Sequence, residues 1–218
     1  MSGKKKGREM EVVPGAGATT EKGAAKMIKL VAICGSLRRD SMNRGLIRSA
    51  IKLCRECIDG MEIEQVEIDA LPFINPDLEA GATFPPPVDA FRRRILEADA
   101  LLFAFPEYNY SLPAPLKNAI DWASRPPNVL ADKTAAMVSA AGGSGGNRSQ
   151  AHLRQIGVFL DLHFINKPEL FIVRGGQPPQ KFDADGNLID PHIKDDLKSL
   201  LLSLKAFTLR LHPNISSS

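Results

Sequence analysis

The chain reads as an α/β protein, a doubly wound parallel sheet covered by helices on both faces. Short apolar runs alternate with helical stretches along its whole body. Two of those runs, 28–34 and 100–105, are apolar enough for strands buried on both sides. The loops that leave the first, third and fourth runs are also unusual in composition, dense in Gly, Pro, Ser, Asn and Tyr.

The first strand is predicted at 28–34. A helix follows over 41–58, with Ser41 placed as its N-cap because a short hydroxyl side chain accepts from first-turn N–H groups. Residues 61–68 are rich in branched side chains and half alternating, the pattern of an edge strand. A loop at 71–87 leads to a helix at 88–98 and a central strand at 100–105. A second loop at 106–115 precedes a short helix at 116–123, and a strand is predicted at 133–140. The glycine-rich loop at 142–146 opens a helix at 149–162, followed by a strand at 170–173 and a closing helix at 190–211. Right-handed crossovers through this series give about five parallel strands, most simply in the flavodoxin-like order 2-1-3-4-5.

With 218 residues, 44% hydrophobic and 24% charged, the body suits one soluble domain, assigned to 27–212. Residues 1–26, which carry Lys4, Lys5 and Lys6, are expected to form a disordered basic arm, and 213–218 a disordered tail. A secretory signal would need an apolar stretch after the basic start. No run reaches the ~20 apolar residues of a membrane span. The net charge of +3 is mixed along the body, which argues against a nucleic-acid surface. Three cysteines, Cys34, Cys54 and Cys57, fit a reducing, cytoplasmic compartment. Cys54 and Cys57 lie late in a helix, so they are expected to be buried core thiols, neither a redox pair nor half of a zinc site.

Where a strand delivers a glycine turn into a helix, unpaired N–H groups and the helix dipole favour an anion. Gly35-Ser36-Leu37-Arg38-Arg39-Asp40-Ser41-Met42-Asn43 is such a place. The hydroxyls of Ser36 and Ser41, the Asn43 amide and the Arg38 guanidinium make it a cup for one phosphate group. G-x-G-x-x-G and Gly-Lys-Ser/Thr are both absent from this turn, so a monophosphate fits better than a pyrophosphate or triphosphate. In the second loop, prolines stiffen Pro106-Glu107-Tyr108-Asn109-Tyr110, and the tyrosines offer flat faces to a planar heterocycle. The third loop, from Gly142, lets backbone approach a ligand, or else is a flexible connector. His152 and His163 are read as structural, and 183–187 as the tip of a hairpin whose spacing departs from a calcium loop.

Gly35-Ser36-x-Arg38-x-x-Ser41-x-Asn43-x-x-Leu46, taken with Pro106-Glu107-Tyr108-Asn109, Lys117-Asn118-Ala119-Ile120-Asp121-Trp122 and the 142–146 loop, resembles the NADPH-dependent FMN reductase family. The likeness spans about 28–211 and is nearest to plant-type NAD(P)H:quinone oxidoreductases. It implies a flavodoxin-like fold that binds FMN non-covalently and reduces quinones in two-electron, ping-pong turnover with NADPH or NADH. Azo dyes, free flavin and chromate are further implied acceptors. It implies that Ser36, Arg38, Ser41 and Asn43 hold the FMN phosphate, and that Pro106, Glu107, Tyr108 and Asn109 line the isoalloxazine and ribityl chain. Ser139, Gly142 and Gly143 would approach the pyrimidine side of the ring, with Tyr108 and Tyr110 a wall for the second substrate. No catalytic side chain is expected, because the flavin carries the chemistry. Homodimers or homotetramers are implied, with Leu112, Pro113, Leu116 and Trp122 expected near the surface as a contact patch. The alternative readings are a flavodoxin-like electron carrier, disfavoured by the mildly basic charge, and a redox-gated interaction protein.

Overall fold

A computed structural model describes residues 27–79, 81, 83–175 and 179–213; the expectations for the basic arm and for 214–218 lie outside the described residues. The elements are β1 (Ile28–Cys34), α1 (Met42–Cys57), β2 (Met61–Val66), α2 (Pro86–Leu96), β3 (Ala100–Ala104), α3 (Ala114–Ala123), β4 (Lys133–Ala141), α4 (Asn147–Leu160), β5 (Leu162–Phe164), β6 (Leu170–Val173) and α5 (Pro191–Leu211).

Every strand pair is parallel, and the order is β2-β1-β3-β4-β5, with β6 also on β4. The fifth strand position is therefore filled in two pieces. β5 pairs with Lys133–Ala135 at the start of β4, and β6 pairs with Val138–Ala141 at its end. The helix expected at 149–162 ends at Leu160, because Asp161 turns left-handed (φ 57°) and its N–H closes on Gly157 O. Leu162 thereby becomes a strand residue.

Alternate residues of β1 enter opposite cores, as the two-residue period of a strand requires. Ile28, Leu30, Ala32 and Cys34 pack with α1 and α5, whereas Val31 and Ile33 pack with residues from α2, α3 and α4. β1 is flanked by β2 on one side and β3 on the other, so the chain reverses its winding between β1 and β3. The backbone continues the sheet beyond the strand ends there: Gly35 N donates to Ala104 O (2.9 Å), and Phe105 N to Val138 O (3.3 Å).

Two side-chain expectations are corrected. Cys54 is buried, and burial pushes its thiol up to about 11, but Cys57 in the last turn of α1 is exposed. Pro113, Leu116 and Trp122 are buried and Leu112 half-buried, so they form no surface patch. Pro113 and Leu116 pack against Gly35 and Phe105, and Trp122 is covered by the segment 71–79, which folds over α3. Asn118 Oδ1 accepts from Ile74 N (2.7 Å) while its Nδ2 donates to Pro72 O (2.9 Å), and Trp122 Nε1 donates to the same carbonyl (2.7 Å). Phe84 meets the Trp122 ring edge-on.

Candidate active site

The loops after β1, β3 and β4 meet above the carboxyl ends of the strands, where sheets of this topology bind ligands. They enclose a cleft of about 120 Å³, lined by Ser36, Arg38, Ser41, Met42, Asn43, Pro106, Glu107, Tyr108, Ala140, Ala141, Gly142 and Arg174.

In the first loop, Ser41 caps α1, its Oγ accepting from Asn43 N (3.2 Å), and the positive end of the helix faces the cleft. Ser36 Oγ accepts from Arg38 N (3.4 Å), which leaves its own hydroxyl proton available to an anion. The Arg38 side chain is exposed and makes no hydrogen bond or ion pair among the described residues. Asn43 is tied into the sheet through its side chain. Its Nδ2 donates to Ala140 O (3.0 Å) and its Oδ1 accepts from Ala140 N (2.9 Å), both buried. The amide thus mimics a strand partner for the end of β4 at the floor of the cleft.

The second loop turns on a two-residue hairpin. Tyr108 and Ser111 exchange both backbone hydrogen bonds (3.1 and 2.9 Å), and Asn109 and Tyr110 between them are left-handed (φ 49° and 63°). Two successive positive φ values define the mirror-image turn that hairpins prefer. A bulky Tyr in that conformation is unusual and stores strain. The Arg148 guanidinium stacks on the Tyr110 ring (4.0 Å). Tyr108 and Tyr110 are 56% and 65% exposed, so both rings remain available to a ligand. Asn109 and Tyr110 lie outside the cleft lining itself.

Glu107 ties the second loop to the third. Its Oε2 accepts from Arg148 N (3.0 Å) and Ser149 N (3.2 Å) at the start of α4, and its Oε1 meets Arg148 Nη1 (3.4 Å). Burial pushes this carboxyl up, but the hydrogen bonds from Ser144, Ser149 and Arg148 outweigh it and hold it below the usual carboxylate range. It remains ionised and internally matched.

In the third loop, Gly145 and Gly146 adopt φ 62° and 93°, and a Cβ on Gly146 would lie 2.5 Å from Ser139 Oγ. Ser139 itself is fully buried, donating to Gly145 O (2.6 Å) and accepting from Gln150 Nε2 (2.8 Å). It supports the loop from below and does not reach the cleft. Gly142 and Gly143 have neither positive φ nor any atom within 4 Å of a built Cβ. Nothing in the folded chain requires glycine there, and the space left free suits a flat ligand.

Sequence reasoning missed Arg174. Its backbone N donates to Ala141 O (2.5 Å), one residue beyond the β4–β6 ladder, and the residue lines the cleft. The available signal was its position directly after a predicted strand, at the sheet edge where ligands collect. His152 and His163 lie outside the cleft, bonded to Ser111 Oγ (3.0 Å) and Asp132 Oδ1 (3.2 Å). The 183–187 segment is a hairpin tip closed by the Phe182–Leu188 bridge, its Asp183 carboxylate occupied by Asn187 and by Asp185 N. Among the described residues no group of His, Cys, Asp and Glu suits a metal ion, and no helix is long and apolar enough to cross a membrane.

Fold and cleft together define an α/β protein of the flavodoxin-like class, with a cationic, hydroxyl-lined anion cup beside a glycine shelf. The NADPH-dependent FMN reductase family model matches residues 28–177, and the chain belongs to that family. It is 63% identical to an NADPH:quinone oxidoreductase of Arabidopsis thaliana, over 85% of this chain and 94% of that protein. An NAD(P)H-dependent FMN reductase of Pseudomonas aeruginosa is 46% identical over 84% of this chain and 97% of its own length. Among solved structures, FerB, a flavoenzyme NAD(P)H:(acceptor) oxidoreductase from Paracoccus denitrificans, superposes with a TM-score of 0.71. It is 32% identical, covering 86% of this chain and 98% of that one.

Proposed function

We propose that this protein is an FMN-containing NAD(P)H:quinone oxidoreductase. The observation that carries the reading is the pairing of a single-phosphate cup with glycines that no intramolecular contact demands. The donor set fits FMN. Ser36 and Ser41 offer hydroxyl protons, Arg38 offers charge, and the α1 terminus adds its dipole. Pro106, Glu107 and Tyr108 form one wall of the ring site, with Asn109 in the turn just beyond it, and the open backbone at Gly142, continued by Gly143, forms the other. Ser139 contributes by holding the third loop in shape.

The chemistry a bound FMN supplies is two-electron transfer from NAD(P)H to a quinone, which leaves as the hydroquinone. The chain's own residues bind and orient. Tyr108 and Tyr110 present exposed rings against which the nicotinamide and then the quinone pack in turn. Arg148 and Glu107 keep Tyr110 and the start of α4 in place. One shared substrate position gives ping-pong kinetics. Double-reciprocal plots for NADPH at several benzoquinone concentrations should run parallel with no partner protein present. Intersecting lines contradict the shared position, and a requirement for a partner protein contradicts the enzyme.

The enzyme acts in the cytoplasm, in keeping with three free cysteines. It self-associates. The surface for this is α4, where adjacent Val158 and Phe159 are 84% and 90% exposed on the helix whose first turn Glu107 caps.

A further inference from the structure

Several ionic groups around the cleft are matched inside the chain. Arg44 is gripped by both carboxylate oxygens of Glu67 (3.0 and 2.8 Å). Arg148 is held by Glu107 and the Tyr110 ring, and Glu107 by the α4 N–H groups. Arg48 bonds Asn187 Oδ1 and Asp185 O, and Lys181 Nζ bonds Val173 O. Three charged residues line the cleft itself: Glu107 is matched, whereas Arg38 and Arg174 have no side-chain partner among the described residues. They enter the cleft from different elements, one from the β1–α1 loop and the other from the end of β6.

Two unpaired guanidiniums in one cleft with no free carboxylate ask for a ligand carrying two negative charges. A phosphate monoester near neutral pH is such a group, and its oxygens accept paired guanidinium hydrogen bonds. We propose that Arg174 is a second phosphate-binding cation opposite Arg38, and that it sets the preference for FMN over unphosphorylated riboflavin. The assignment rests on the FMN reading above. The Arg174 backbone is fixed by its bond to Ala141 O, so the side chain starts from a defined point at the mouth of the cleft.

The test is titration of FMN and of riboflavin, followed by quenching of flavin fluorescence, on flavin-stripped wild type and on Arg174→Gln. Both are run at several salt concentrations, with urea midpoints to verify folding. Arg174→Gln should bind FMN about tenfold more weakly, as for loss of a charged hydrogen bond, with riboflavin affinity unchanged. Its FMN affinity should also depend less steeply on salt. Arg174→Lys should recover part of the loss, and Arg39→Gln, exposed on the same loop but outside the cleft, should match wild type. An Arg174→Gln protein that binds FMN as wild type does, or that loses riboflavin equally, overturns the assignment. Wild type that binds neither flavin contradicts the FMN reading itself, and the Arg174 role with it.

Discussion

Glu107 shows how a side chain at this site serves the scaffold and the ligand together. Its carboxylate replaces the missing acceptors for two first-turn N–H groups of α4 and so clamps the loops on either side of the glycine shelf. Because its folded pKa lies below the ordinary value, its stabilisation is complete above the usual carboxylate range and is lost as pH falls through the depressed value. Glu107→Gln should therefore lower unfolding free energy at neutral pH by about 1 kcal/mol, with the gap to wild type closing in acid. Urea melts at neutral pH and near pH 3 check this, and a gap independent of pH contradicts it. Asn43 carries the same lesson. The sequence places an amide at a phosphate turn, and only the fold reveals that its partners are the two peptide groups of Ala140, 97 residues away. Arg38 is thus the cleaner probe of the cup, since removing the Asn43 amide leaves buried backbone groups unpaired.

At the scale of elements, strand and helix order was legible because buried strands are apolar throughout and the helices between them carry one apolar stripe. β5 was not legible: it has three residues, and its boundary is a left-handed Asp161 with no glycine or proline to announce it. The cover over Trp122 was hidden for a different reason, since the segment 71–79 is latched by side-chain bonds to α3 that leave no periodic trace. The third loop separates two uses of glycine. Gly146→Ala meets Ser139 Oγ in a left-handed conformation and should cost about 1–3 kcal/mol of stability. Gly142→Leu meets nothing in the chain and should leave the urea midpoint nearly unchanged while weakening FMN binding at least about tenfold. If Gly142→Leu binds FMN like wild type, the shelf is not where the ring lies.

The molecule as a whole puts its ligand-facing loops at one end of the sheet and a bare apolar pair, Val158 and Phe159, in the last turn of α4, toward the opposite end. The sequence pointed instead to Leu116 and Trp122, which periodicity alone could not distinguish from surface residues. Light scattering at micromolar concentration should give a dimer or tetramer for wild type and a smaller species for Phe159→Glu; a wild-type monomer contradicts self-association. The anion cup above β1 is what ties the whole molecule to a flavin. Its direct test is the visible spectrum of the purified protein with an FMN titration of wild type and Arg38→Ala. A yellow protein with an oxidised-flavin spectrum, and an Arg38→Ala protein that is folded but binds FMN at least about tenfold more weakly, is the predicted result. Colourless wild-type protein that takes up no added FMN would contradict it.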